Sequence, residues 1–294
     1  MILCANIASW NIRNIYCSLQ SYKTNLLKLH LKMTETRQYI WLVRYGRTFP
    51  GLIEGVGNYD SDVQDPEGLE DAKAIANHIA SKGTDRLPKH VFSDPFLRCM
   101  RTADVIVSNL NERSNASLKI KVESGMTEWQ VPSLLVDVEG KRTHPRSVQH
   151  HAEELENVDE SYQSVNPHGP DRDTESLAEG VPSFPETEEQ LYVRCRTTAR
   201  KILEHTGSED SILIVSHAPC CQSMALALAG FTSPSESKLG GWSLGGVTLF
   251  SRIVGTEEWT LEYYSDTSHM PGEYKEGIKG RWSLPGFVKN NRNP

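Results

Sequence analysis

The chain has 294 residues, 38% of them hydrophobic, which is enough to bury the core of one large α/β domain. Its formal net charge of −7 is spread along the chain and argues against a nucleic-acid-binding protein, and no apolar run is long enough to predict a transmembrane helix. The six cysteines lack the spacing of a zinc site, so we expect reduced thiols, a cytoplasmic protein and no cofactor.

Residues 1–37 differ in composition from the rest of the chain. The first 34 residues contain no Asp or Glu, and their charges are the basic side chains of Arg13, Lys23, Lys28 and Lys32. This composition is typical of a mitochondrial transit peptide. Two alternatives stay open, namely a targeting segment or a disordered extension without a structural role.

The first half of the remaining chain alternates between predicted strands and helices. Residues 39–43, "YIWLV", form a continuous apolar run that predicts a buried strand, and apolar residues at helical spacing predict a helix over 67–82. "HVFS" at 90–93 predicts a second strand, and Pro95 fits the first turn of the helix after it. "LKIKV" at 118–122 alternates in polarity and predicts a strand near a sheet edge.

The second half continues the alternation and predicts the fold class. A helix is predicted from Glu186 to His205, a buried strand at 212–215 and another helix at 220–230, before "VTLFSR" and "WTLEYY" form a hairpin. This order predicts an α/β three-layer sandwich, a mainly parallel central sheet flanked by helices on both faces. We assign the domain to residues 38–288 and a tail to 289–294.

A polar segment at about 133–185 interrupts this pattern. Such a long irregular segment is typical of a lid, a partner surface or disorder. It holds four histidines, but neither carboxylates nor cysteines recur among them at ligand spacing. We therefore predict solvated loop histidines and no metal site; the four are His144, His150, His151 and His168.

Charged side chains follow the predicted strands at the points where each strand ends. Because ligands bind at the carboxyl ends of the strands in open α/β sheets, we expect these side chains to converge. Guanidinium groups, a histidine and helix N-terminal amides together predict a phosphate site. The candidate residues are Arg44, Tyr45, Arg47, Arg98, Glu128 and His217.

Three separated motifs resemble the histidine phosphatase superfamily, also called the phosphoglycerate mutase-like family. The family's Arg-His-Gly hallmark stands here as Arg44-Tyr45-Gly46. Its Ser-x-Pro-x-x-Arg-x-x-x-Thr-Ala pattern is matched by "SDPFLRCMRTA", and its Val-Ser-His by "IVSHAP". The segments "LRCMRTADVI" and "SGMTEWQ" are most similar to the phosphatase domain of the suppressors of T-cell receptor signalling, the ubiquitin-associated and SH3 domain-containing proteins.

The resemblance implies a role for each matching residue. Arg44, Arg98 and His217 would hold the phosphate oxygens, and Glu128 would protonate the leaving oxygen and then activate water. The nucleophilic histidine of the family is replaced by Tyr45. Arg47 adds a further positive charge, which we predict to bind phosphate.

Tyrosine at the nucleophile position predicts impaired catalysis. A phenol, with an ordinary pKa of about 10, is a weaker nucleophile near pH 7 than neutral imidazole. A phosphotyrosine ester is also far more inert than phosphohistidine, so turnover would stall after one event. We expect the phenol to plug the site and to accept hydrogen bonds from Arg44, Arg98 and His217.

The sequence therefore leaves three functional hypotheses. The first is a catalytically impaired protein that binds a phosphorylated small molecule or a phosphoprotein. The second is an active phosphomonoesterase, similar to a protein-tyrosine phosphatase, in which Glu128 activates water directly or His217 attacks phosphorus. The third is a scaffold that works through residues 133–185. We expect no membrane or nucleic-acid partner, and dimers among the relatives leave a homodimer open.

Overall fold

The computed structural model describes residues 36–48, 62–63, 66–136, 140, 142, 144–145, 147–166, 184–236 and 239–285. Those from Gln38 onward belong to one compact unit. Residues 1–35 of the predicted extension, the predicted tail at 289–294 and residues 167–183 of the polar segment lie outside the described residues.

Six strands form one sheet in the order β3-β2-β4-β1-β5-β6. Neighbours in the run β3-β2-β4-β1 pair in parallel, whereas β5 and β6 form an antiparallel hairpin. The predicted mainly parallel sheet, the final hairpin and the edge position of the third strand are thus confirmed. The strands are β1 (Arg37–Arg44), β2 (His90–Ser93), β3 (Ile120–Val122), β4 (Ile212–Ser216), β5 (Val247–Ile253) and β6 (Thr260–Asp266).

The helices begin and end where local chemistry favours it. One helix begins at a capping box, in which the Thr187 hydroxyl accepts from the backbone of Gln190 and the Gln190 side chain accepts from Thr187. Another ends just before Gly83, whose φ of 112° lies in the region that favours glycine. The helices are α1 (Glu67–Ser81), α2 (Leu97–Ser114), α3 (Pro132–Leu135), α4 (Val148–Glu154), α5 (Glu188–His205) and α6 (Ala218–Leu228).

Helices cover both faces of the sheet. Along β1, Ile40 and Leu42 pack in a hydrophobic cluster with residues of α5 and α6, whereas Trp41 and Val43 pack in a second cluster with residues of α1 and α2. The alternation follows from the two-residue period of a strand. The predicted three-layer sandwich is therefore confirmed. Among the described helices, none has the length and apolar character that a membrane span requires.

The described part of the polar segment includes the helix α4, which carries a buried histidine that the sequence does not predict. His151 in α4 is fully buried, and its Nε2 lies 2.6 Å from the carbonyl oxygen of Pro95. The prediction of solvated loop histidines is therefore wrong for His151. The buried Glu123 carboxylate also anchors this segment, because it accepts from the Tyr162 hydroxyl at 2.8 Å and the Val165 amide at 3.0 Å.

Candidate active site

The parallel register brings the ends of neighbouring strands together. Arg44, the last residue of β1, pairs with Ser216, the last residue of β4. Tyr45 follows directly, and its amide donates to the Ser216 carbonyl at 3.3 Å. His217 is the N-cap of α6. Tyr45 and His217 therefore leave adjacent strands side by side, as the sequence predicts.

Arg98 reaches the same place from the first turn of α2. The preceding turn is fixed by Asp94, whose carboxylate accepts from the amide of Phe96 at 2.7 Å. Arg98 is 1% exposed. Its Nη2 lies 3.4 Å from Glu128 Oε2 and 3.2 Å from His217 Nδ1. The fold thus gathers residues from four separate strand ends around one buried guanidinium group.

His217 lies between two carboxylates. Its Nδ1 is 2.6 Å from Glu128 Oε2, and its Nε2 is 3.2 Å from Asp94 Oδ2. Burial would lower the pKa of His217, and Arg98 lowers it further, but Asp94, Cys99 and Glu128 together raise it well above its ordinary value. The surrounding carboxylates therefore favour the imidazolium form of His217, in which Arg98 and His217 both direct protons at the same Glu128 oxygen.

Glu128 is held as a carboxylate. Burial alone would raise the pKa of Glu128, but His217 and Arg98 lower it to about 2. Its second oxygen accepts from the Trp129 amide at 2.9 Å. The Glu128 carboxylate is thus the anion that Arg98 and His217 contact.

Tyr45 contacts this cluster through its aromatic ring. Its centroid lies 5.2 Å from that of His217 in an edge-on arrangement. The guanidinium carbons of Arg98 and Arg44 lie 5.2 and 5.5 Å from the ring centroid, as in cation–π contacts. The expected hydrogen bonds from Arg44, Arg98 and His217 to the phenol oxygen are absent among the described residues. These side chains donate to backbone carbonyls or to Glu128, or keep unpaired nitrogens.

Several buried donors of the cluster lack a hydrogen-bond partner. Arg44 Nη1 donates to the carbonyls of Trp242 and Gly280 at 2.9 and 2.7 Å, which leaves its Nε unpaired. Arg98 Nε and Nη1 and the Thr127 hydroxyl are likewise buried and unpaired. Because unpaired buried donors cost free energy, these groups favour an oxyanion ligand.

Arg47 is the one predicted site residue that the fold directs elsewhere. Its Nε and Nη2 donate to the two carboxylate oxygens of Asp71, each at 2.8 Å, and Asp71 is fully buried. Its guanidinium carbon also lies 4.9 Å from the Tyr274 ring centroid. We therefore leave Arg47 out of the proposed phosphate-binding group.

Two further residues of the cluster, Asp94 and Cys99, have no role that the sequence motifs predict. Asp94 follows β2 immediately, so its place at a strand end was a usable signal. Cys99 Sγ lies 3.5 Å from His217 Nε2, and burial raises the pKa of the thiol to about 12. Cys99 therefore stays a neutral thiol next to the imidazolium.

The loop that carries Glu128 has its own buried anchor. Arg194 in α5 donates to the carbonyls of Gly125 and Thr127 at 3.0 and 2.9 Å. The same guanidinium makes a bidentate ion pair with Glu186, at 2.8 and 2.7 Å. Arg194 thus fixes the backbone just before Glu128.

Comparison with known proteins agrees with this geometry. The profile of the "Histidine phosphatase superfamily (branch 1)" matches residues 40–267. The transcription factor tau 55 kDa subunit of Saccharomyces cerevisiae is 26% identical over 208 residues, which are 67% of this chain but only 42% of that protein. The chain therefore spans less than half the length of this curated relative.

Solved structures share the fold at low sequence identity. The ecdysone phosphate phosphatase of Bombix mori in complex with tungstate aligns with a TM-score of 0.52 and 17% identity, over 80% of this chain and 94% of that one. A mycobacterial glucosyl-3-phosphoglycerate phosphatase aligns with a TM-score of 0.48 and 18% identity, over 78% and 98%. With the profile match over most of the chain and Arg44, Arg98 and His217 gathered at the strand ends, the protein belongs to the histidine phosphatase superfamily.

Proposed function

We propose that this protein binds the phosphate group of a phosphorylated small molecule or phosphoprotein without hydrolysing it efficiently. The observation that carries the proposal is Tyr45, a phenol at the position of the attacking imidazole, with its ring against His217, Arg44 and Arg98. Water hydrolyses a phosphohistidine readily. A phosphate ester formed on the Tyr45 hydroxyl would be hydrolysed far more slowly.

Neither alternative catalytic route fits the geometry well. A nucleophilic His217 would need a free lone pair, but both of its ring nitrogens face carboxylates at 2.6 and 3.2 Å. A Glu128 base would need a pKa near the working pH, whereas the pKa of this carboxylate is lowered to about 2. These two facts argue against an active phosphomonoesterase and favour a binding role.

Charge supports the binding of an anion. Arg44, Arg98 and His217 supply three positive charges, and Glu128 and Asp94 supply two negative ones, so the cluster keeps one net positive charge. The unpaired nitrogens of Arg44 and Arg98 offer donors that a phosphate oxygen would accept from. We infer that phosphate also displaces the Glu128 carboxylate from the two other donors, Arg98 Nη2 at 3.4 Å and His217 Nδ1 at 2.6 Å. The ecdysone phosphate phosphatase holds tungstate, an oxyanion of comparable shape.

The finer relationship within the superfamily is also a proposal. The sequences of "LRCMRTADVI" and "SGMTEWQ" support a relationship with the phosphatase domain of the suppressors of T-cell receptor signalling. The distant yeast relative is described as a subunit of a transcription factor. That description is compatible with a binding role for this fold inside a larger assembly.

The test is a comparison of aryl phosphate hydrolysis by wild type, Tyr45→His and Tyr45→Phe. We expect Tyr45→His to be faster than wild type by at least about a hundredfold, the lower end of what one positioned catalytic group contributes. Tyr45→Phe is the matched control, since it keeps the ring and removes the hydroxyl, and we expect it to be as slow as wild type. A wild type that turns over as fast as Tyr45→His would refute the proposal.

A further inference from the structure

A second cluster of metal-ligating side chains lies outside the candidate active site. His78 belongs to the last turn of α1, Asp266 is the last residue of β6, and His269 lies in the turn that follows. Candidate ligand atoms of the three residues all lie within 4.8 Å of one another. The two imidazole centroids are 4.6 Å apart.

The hydrogen bonding of His269 defines which of its nitrogens is available. Nε2 lies 3.0 Å from the carbonyl oxygen of Gly245. A carbonyl can only accept, so Nε2 carries the proton and Nδ1 carries the lone pair. Nδ1 is buried and has no hydrogen-bond partner. A metal-binding histidine commonly has this arrangement, with one nitrogen donating to a backbone carbonyl and the other free to ligate.

His78 and Asp266 complete the set of donors. His78 Nε2 lies 3.5 Å from Asp266 Oδ2, and 3.3 Å from the Tyr263 hydroxyl, which a bound ion would displace. The Asp266 carboxylate is oriented by Ser268, whose amide donates to Oδ1 at 2.9 Å and whose hydroxyl donates to Oδ2 at 3.0 Å. Ligating carboxylates are held by such outer hydrogen bonds.

We propose that His78, Asp266 and His269 bind one divalent transition-metal ion, with zinc as the best match. Two imidazoles and a carboxylate suit Zn²⁺, with water as a fourth ligand. Tetrahedral coordination at about 2.0–2.2 Å needs donor atoms about 3.3–3.5 Å apart, so small side-chain rotations would close the present spacing. The proposal departs from the sequence prediction of no metal site, which considered spacing along the chain only.

The position of this site would place the ion beside the backbone that follows β1. Gly245 donates its amide to the Tyr45 carbonyl at 3.1 Å, while its own carbonyl accepts from His269. An ion on His269 would therefore brace the peptide that follows β1. The other candidate group, Asp94, Cys99 and His217, lies beside the Arg98 guanidinium, whose charge disfavours a cation there.

The experiment measures zinc binding to the chelator-treated full chain by calorimetry and thermal unfolding. The variants are His269→Gln, whose amide can still donate to Gly245, and Asp266→Asn. His90→Gln is the matched control, because His90 also faces a carboxylate, that of Asp210 at 3.1 Å, but belongs to no cluster of three possible metal ligands in the part of the chain that the structure describes. Circular dichroism of each variant establishes that it is folded, and Co²⁺ absorption reports the coordination geometry.

We expect wild type and His90→Gln to bind one zinc ion and to melt at a higher temperature with zinc. We expect each ligand variant to bind at least about tenfold more weakly and to lose that shift. Either of two results would overturn the proposal: no zinc binding by wild type, or unchanged binding in a folded His269→Gln or Asp266→Asn. If one variant fails to fold, the other decides.

Discussion

At the scale of single residues, the replacement of an imidazole by a phenol changes what its neighbours do. His217, Arg98 and Glu128 form a cluster of charges in which both positive side chains contact the same carboxylate oxygen, Glu128 Oε2. Tyr45 adds an aromatic edge to this set, but its hydroxyl makes no hydrogen bond to these three side chains, all of which the structure describes. The site is therefore built to bind an anion, and the Glu128 carboxylate lies where we propose that a ligand anion binds.

The protonation of His217 is a testable consequence. Its pKa is raised in the folded state, so its pairing contributes stability that is fully present below its unfolded pKa of about 6.5 and is lost as pH rises through the folded value. We expect nitrogen NMR of the histidine side chains to show His217 doubly protonated at pH 7. His90, whose pKa is lowered chiefly by burial, is the internal comparison and should be neutral. A neutral His217 at pH 7 would contradict the described charge cluster.

At the scale of elements, most of the secondary structure is predictable and most of the long-range pairing is not. The strand at His90–Ser93 and the helix ending at His205 follow from short periodic patterns, which depend on neighbours in sequence. The pairing of Arg47 with Asp71 depends on how α1 packs against the end of β1. Periodicity along the chain does not report such a contact, so the ion pair of Arg47 with Asp71 could not be predicted from the sequence.

The burial of His151 escaped prediction for the same reason. The polar segment lacks a long hydrophobic periodicity that would indicate a buried face, so its histidines are predicted to be exposed to solvent. In the fold, α4 places His151 against the Pro95 carbonyl, where the helix after β2 begins. By contrast, Arg44, Arg98, Glu128 and His217 could be brought together from sequence, because parallel strand ends meet at one edge of a sheet whatever the details of packing.

The anchor between α5 and the Glu128 loop gives a prediction at this scale. Arg194→Lys removes the bidentate pair with the buried Glu186 and one or both donors to the loop carbonyls. Because the lysine ammonium keeps the charge but cannot reproduce all four hydrogen bonds, buried acceptors are left unpaired, and we expect the free energy of unfolding to fall by about 3 kcal/mol, measured by urea denaturation. Phosphate binding should weaken with it.

Arg200→Lys is the matched control for that change. Arg200 lies on the same helix and pairs with Glu204 on an exposed surface. We expect a change below about 1 kcal/mol, as for other exposed pairs. Equal losses in the two variants would show that Arg194 has no special part in fixing the loop.

At the scale of the whole molecule, the site depends on the sheet and both helical layers. Arg44 ends one central strand and His217 follows another. Arg98 comes from α2 on one face, and the Glu128 loop is held by α5 on the other. A ligand that binds only this assembled site stabilises the entire fold. At a phosphate concentration of 100 times the dissociation constant, the gain would be about 2.7 kcal/mol.

The measurement that bears most directly on the proposed function is a crystal structure of the wild-type protein soaked with orthophosphate. We expect phosphate among Arg44, Arg98 and His217, with the Glu128 carboxylate moved off His217 Nδ1 and an unmodified Tyr45 ring beside the anion. A crystal in which the 2.6 Å contact between Glu128 and His217 persists without phosphate, or in which Tyr45 is itself phosphorylated, would contradict the account.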